Sequence, residues 1–299
     1  MAEISDNKSE ASSFSLQREA TASDGHALPA TPGFEEFDRQ ILHTLGCIKA
    51  INFQHIAFIG KNLDRIPIER AYKTLWHEES PRAERSFMRL KKLCAKGFIV
   101  PWQSWDPNRI LTRPKGRARA KKLATFYILG RKGRRWIKEK LSYIPTPGII
   151  DELYVFAVPL ARWLTASTCA LTLQSEGYAL VPFNQVWNDR DDVPRPAFRP
   201  DFTAVKQNPA AFYVYDSPFG LRSEFFVAHV GRGLLRMNLD SMAVILTRTR
   251  EAFARVMVAM RGNSLGDNKQ RVYVGDLATF RDRLGHCTVV NGEGKQTIL

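Results

Sequence analysis

"RAERSFMRLKKLCAKGFIV", residues 82–100, is the stretch on which the fold turns. Ser80-Pro81 supplies a helix start just before it. Gly97 supplies a stop, because glycine adopts the left-handed backbone of a helix C-terminus without steric cost. Ala83, Phe87, Leu90 and Cys94 recur at helical spacing. Arg82, Arg85, Arg89, Lys92 and Lys96 fall on a nearly opposite stripe at roughly 100° per residue. The spacing predicts an amphipathic helix over 81–96, with one face in a core and a cationic face toward a partner. "FIVPWQSW" at 98–105 then reads as a strand.

Outward from this stretch the same kind of reading continues. Upstream, Thr31-Pro32 is an N-cap with proline in the first turn, and Phe34, Phe37, Ile41 and Leu45 follow at helical spacing. A second helix fits 52–60. Downstream, 106–122 reads as a basic loop, "LATFYILG" at 123–130 as a returning strand and "RKGRRWIKEKL" at 131–141 as a helix. Helix, helix, helix, strand, loop, strand, helix is the order of a winged helix-turn-helix. The expected organisation is therefore a disordered tail at 1–30, a winged-helix domain at 31–141, a linker at 142–150 and an α/β domain at 151–290. The last carries a helix at 151–175 and strands at 177–187, 201–206, 211–215, 225–230, 242–247 and 271–274. A helix over "TREAFARVMVAM" turns Phe253, Met257 and Met260 to one face.

Charge points to the first domain. The chain of 299 residues carries a net charge of +14. Residues 82–140 alone hold nineteen cations and three acids, a net of +16, so the remainder sums to −2. In the expected wing, Arg113, Lys115, Arg117, Arg119, Lys121 and Lys122 crowd into ten residues with no acid. Arg134 and Arg135 follow on the next helix. Ordinary solvated faces mix both signs. A segment this one-sided predicts a polyanionic partner, and double-stranded DNA fits best: arginine forks can read guanine edges while lysines meet phosphates. The cations flank no exposed apolar helix, so a membrane surface is not expected.

Motifs for chemistry are sparse. There is no phosphate-binding G-x-x-x-x-G-K-[ST], no H-E-x-x-H and no G-x-S-x-G. "GRG" and "GRKG" are too short to be nucleotide fingerprints. Cys47, Cys94, Cys169 and Cys287 are far apart, which speaks for a reducing, cytoplasmic setting. His43 and His55 read as structural. "FRPDFTAV" at 198–205 places Asp201 after a proline at a strand start, and "EFFVAHVGRG" at 224–233 reads as the next apolar strand. The spacing resembles a restriction-endonuclease-like fold, in which an Asp and an acid-x-Lys pair hold a metal. Here the second strand has no acid and no lysine among Val227, Ala228, His229 and Val230.

Together, "FDRQILHTLGCIKAINFQHIA", "RAERSFMRLKKLCAKGFIV", "ATFYILGRKGRRWI" and the R-P-D tripeptide resemble the replication-relaxation family over about residues 34–285. The resemblance implies a bacterial DNA-binding protein of plasmids and conjugative elements, linked to replication and mobilisation. Of the family's acid-x-Asp-Arg-Gly pattern only Arg232 and Gly233 remain. The resemblance therefore supports DNA binding over catalysis, with a degenerate nuclease-like domain for dimerisation or for contacting a relaxase or replication protein. No cofactor is expected. The alternatives are a Mg²⁺-dependent nickase using Asp201 with Glu176 or Glu224, and a transcriptional regulator with a C-terminal sensor domain.

Overall fold

The computed structural model describes residues 33–63, 84–103, 125–145, 157–186, 199–215, 222–237, 240–262, 265–282 and 288–299. The architecture is mixed α+β, with a three-stranded sheet in the N-terminal half and a seven-stranded mixed sheet in the C-terminal half.

The N-terminal half begins with α1 (Glu36–Cys47). Its start is a reciprocal capping box: the Asp38 carboxylate accepts the Glu35 backbone N–H at 3.1 Å, and the Glu35 side chain accepts the N–H of the third helical residue. Each bond satisfies an amide that a helix start leaves without an internal partner. The expected cap at Thr31-Pro32 lies outside the described residues. The short strand β1 (Ile51–Asn52) leads into α2 (Phe53–Leu63), and α3 (Glu84–Ala95) follows. Gly97 ends α3 as the sequence predicts. Its φ is +75°, its N–H donates to the Cys94 carbonyl at 2.9 Å, and the Phe98 N–H donates to the Leu93 carbonyl at 3.0 Å.

Strands β2 (Ile99–Gln103) and β3 (Thr125–Leu129) then pair antiparallel, and α4 (Arg131–Lys140) closes the module. The sequence did not reveal β1, which pairs with the free edge of β3 and gives the order β1-β3-β2. A two-residue strand has too little pattern to register as a period.

The C-terminal half runs α5 (Ala157–Ser175), β4 (Ala179–Val181), α6 (Phe183–Val186), β5 (Phe202–Val205), β6 (Pro209–Tyr215), α7 (Ser223–Leu234), β7 (Met242–Thr247) and α8 (Arg250–Arg261). A 3-10 turn (Gly266–Gln270), β8 (Val272–Asp276), α9 (Leu277–Asp282), β9 (Thr288–Asn291) and β10 (Gln296–Ile298) complete it. The sheet order is β10-β9-β8-β7-β6-β5-β4, with β6, β7 and β8 parallel and every other pair antiparallel.

The central strands alternate between two cores, as the two-residue period of a strand requires. Phe212, Val214, Val244 and Leu246 face one core with Ala166, Cys169, Ala170 and Leu173 of α5. Ala211, Tyr213, Ala243 and Ile245 face the other, with Phe226, Val227 and Val230 of α7 and Ala252, Val256 and Met260 of α8. Both crossover helices lie on one face, as consecutive right-handed crossovers advancing the same way demand.

Two expectations for this half are corrected. Residues 225–230 are helix, not strand: they lie inside α7. Phe226, Val227, Val230 and Leu234 are buried at helical spacing while Glu224, Phe225 and Arg232 stay exposed. A short apolar run looks the same for a buried strand and a buried helix. The expected strand at 177–187 is three residues of β4 followed by the turn of α6.

The halves share one core. A single buried cluster runs from Ile41, Leu42 and Leu45 of α1 through α5 to Phe202 and Val289 of the large sheet. Tyr143, in the expected linker, is itself buried, and its hydroxyl lies 2.9 Å from Nδ1 of His43. Residues 146–150 of that linker lie outside the described residues.

Candidate nucleic-acid interface

Helix α3 presents a different outward face from the expected one. Leu90 and Leu93 are buried, whereas Phe87 is 39% and Met88 56% exposed. Phe53 of α2 meets Phe87 edge-to-face at 5.9 Å on the margin of the core. Leu93 takes the inner position assigned to Phe87, and the helix is turned accordingly. Lys91, Lys92, Ala95 and Lys96 are exposed. The Lys91 ammonium lies 4.5 Å from the centre of the Phe87 ring, a cation–π contact.

Arg89, one of the predicted DNA contacts, is engaged in ion pairs within the fold. Its guanidinium reaches back to α1. Nε donates to Asp38 Oδ1 at 3.1 Å, Nη2 bonds Asp38 Oδ2, and Nη1 pairs with Glu35 Oε1 at 2.8 Å. Asp38 is almost wholly buried. The Asp38 hydrogen bond raises the Arg89 pKa above its ordinary value, against the opposing pull of burial. The cost of burying Asp38 is offset by this fork and by the capping amide, so Arg89 fastens α3 to α1 and is committed there.

The other predicted residues divide in two. Lys92, Lys96 and Arg135 are exposed and Arg134 is half-buried. Arg82, the Arg85 side chain, Arg113, Lys115, Arg117, Arg119, Lys121 and Lys122 lie outside the described residues. Arg131, Lys132, Lys138 and Lys140, part of the basic segment though not singled out as contacts, are also exposed on α4. Every residue of α4 except Gly133, Trp136, Ile137 and Glu139 is Arg or Lys.

Two glycines bring α4 onto the end of α3. A side chain at Gly130 would put Cβ 2.5 Å from the Gly97 carbonyl oxygen, and one at Gly133 would put it 2.4 Å from that of Phe98. "GRKG" is thus a close-packing device between backbones. Trp136 of α4 stacks on Phe34 at 5.3 Å, and Phe34 meets Phe98 edge-on at 5.1 Å. This wedge leaves the Lys132 stem 3.8 Å from the position a Gly97 Cβ would take, beside Lys96. The start of α4 thus packs beside the Gly97 turn that ends α3.

The start of α4 is electrostatically unusual. Its first turn contains no acid, Gly130 offers no side-chain cap, and the turn opens Arg131-Lys132. Cations are unfavourable at a helix N-terminus, where the partial charge is positive and unbonded amides point outward. The arrangement becomes favourable beside an anion.

The second predicted site has different chemistry. Asp201 is buried at the mouth of β5. Its Oδ2 accepts hydrogen bonds from Arg162 Nε at 3.0 Å, Arg162 Nη2 at 2.9 Å and the Val214 N–H at 2.8 Å. The strand beside it is β6, "PAAFYVY", which has neither acid nor lysine. The stretch read as that strand, 224–233, lies in α7 instead. Among the described residues no three of His, Cys, Asp and Glu stand together as a metal-ligand group. A guanidinium from α5 occupies the anionic side of Asp201, and Tyr213 lies close enough for burial and Asp201 to raise its pKa.

His43 and His55, which the sequence reads as structural, both hydrogen-bond within the fold. Nδ1 of His55 accepts the Asn52 N–H at 3.0 Å, so its proton sits on Nε2, 2.9 Å from Thr168 Oγ1 on α5. Burial lowers its pKa to about 3. Among the described residues no helix is long and apolar enough to cross a membrane. No family model, curated protein or solved structure matches the chain.

Proposed function

We propose that this protein binds duplex DNA through an N-terminal winged helix. In that reading α3 enters the major groove, the 104–124 connection between β2 and β3 is the wing, and the start of α4 holds a phosphate. The observation that carries the reading is the concentration of charge: residues 82–140 hold a net +16 in a chain of +14. Exposed lysines line α3 and exposed cations line α4, and a duplex supplies phosphates at that density. Lys92, Lys96, Lys132 and Arg135 meet the backbone, and the basic stretch 113–122 adds to them.

The C-terminal α/β part is a degenerate nuclease-like scaffold in this reading. Its helix–three-strand–helix–strand run, α5 to β7, carries Asp201 where such a fold holds a carboxylate, but Arg162 stands in for the cation. That favours a role in assembly over strand cleavage. The resemblance to replication-relaxation proteins suggests an accessory at the origin of a mobile element, cytoplasmic and working beside a relaxase or replication protein.

The test is a binding series on a duplex pool, with wild type against Arg117→Glu/Arg119→Glu and Lys92→Glu/Lys96→Glu. Both pairs weaken binding to all sequences alike if the reading holds. Supercoiled DNA incubated with Mg²⁺ or Mn²⁺ should stay intact; nicking that Asp201→Ala abolishes would instead make the protein a nuclease.

A further inference from the structure

The outward face of α3 is centred on an apolar side chain. With roughly 100° between successive residues, Met88 and Ala95 point almost directly away from the midpoint of buried Leu90 and Leu93. The stripe of Arg85, Arg89, Lys92 and Lys96 lies about 80° to one side. Met88 is 56% exposed, with Phe87 beside it at 39%. Lys91 and Lys92 flank Met88 one turn on, and residues 87–96 contain no acid. With more than half of its surface in water, this unbranched thioether contributes little to the fold.

We propose that Met88 is a sequence-reading residue that recognises thymine, by packing on the C5-methyl group in the major groove while Lys91 and Lys92 hold the flanking phosphates. This inference rests on the DNA-binding reading above and adds what that reading leaves open, the chemistry by which a base is distinguished. The thymine methyl is the one apolar feature of the major-groove floor, and it is read by apolar side chains. A cationic surround supplies attraction to the backbone without sequence preference, so discrimination falls to the side chain at the centre. Flexible methionine can follow the methyl where a branched residue would need one fixed approach.

The experiment uses the full chain. Selection from a randomised duplex pool defines the preferred site. Fluorescence anisotropy then compares that duplex made with thymine against the same duplex made with uracil, for wild type and Met88→Ala. Wild type is expected to lose about fourfold in affinity at each contacted thymine converted to uracil, the factor for one buried methyl group. Met88→Ala should bind both duplexes equally, near the wild-type affinity for uracil, with an unchanged melting temperature because the residue is exposed. Three results would overturn the inference alone: a preferred site without thymine, wild-type binding indifferent to the methyl, or methyl discrimination surviving in Met88→Ala. Failure of wild type to bind any duplex would remove the DNA-binding reading, and this inference with it.

Discussion

Arg89, expected among the DNA contacts, is paired with the buried Asp38 carboxylate. Removing its guanidinium strands the buried Asp38 carboxylate, and breaking such a pair typically costs about 3 kcal/mol or more. Arg89→Ala should therefore lower the urea midpoint markedly. At a temperature where both proteins are folded, its loss of DNA affinity should be smaller than that of Lys92→Ala. The opposite ranking would return Arg89 to the interface. His55 gives a second prediction, in pH. Its folded pKa of about 3 lies below the 6.5 of the free side chain. Its contribution is therefore complete above pH 6.5 and is lost as the pH falls from 6.5 toward 3, by about 1.4 kcal/mol per unit. Protonation would add a hydrogen at Nδ1, which already faces the Asn52 N–H. Urea midpoints from pH 7 to 4.5 should fall more steeply for wild type than for His55→Asn; parallel slopes would refute the assignment. Neither partner was legible in the sequence. Asp38 and Arg89 are 51 residues apart, and no local period joins a carboxylate on one helix to a cation on another.

Among the elements, those with a strong local signal were read correctly. α3 carries both a stop residue and a hydrophobic stripe, and β7 is a buried apolar run between polar flanks. Helical spacing gives α3 only a relative face; the structure turns Leu93 inward and leaves Phe87 at the margin. The helix α7 was missed because six apolar-rich residues fit either period, and only the crossover between parallel β6 and β7 demands a helix there. The same scale holds the clearest packing prediction. Gly133 sits against backbone, which cannot swing aside as a side chain would. Gly133→Ala should destabilise by about 1–3 kcal/mol, seen as a lower melting temperature. It should also weaken DNA binding at temperatures where the fold persists, because α4 is pushed off α3. An unchanged melting temperature would show that α4 has room to move.

At the scale of the whole molecule, the packing between the halves is the main finding. The sequence suggested two domains and a linker. The structure joins the halves through one buried cluster and through His55 and Ala50 against Thr168 and Ser167 of α5. Such contacts between segments about 100 residues apart leave no trace in local pattern. They predict cooperative unfolding: Arg89→Ala, in the N-terminal half, should shift the urea transition of a probe on α8 as much as that of one on α4. Separate transitions would restore two independent domains.

The central claim is that the cationic excess of residues 82–140 grips a polyanionic duplex, and salt tests it most directly. Affinity for a 30-bp duplex, measured by anisotropy across potassium chloride concentrations, should fall linearly on logarithmic axes, with a slope of about −0.9 per phosphate neutralised. Changing Lys92, Lys96 and Arg135 together to alanine should flatten that slope by about three. A slope that is near zero, or one that the triple substitution leaves untouched, would contradict the account.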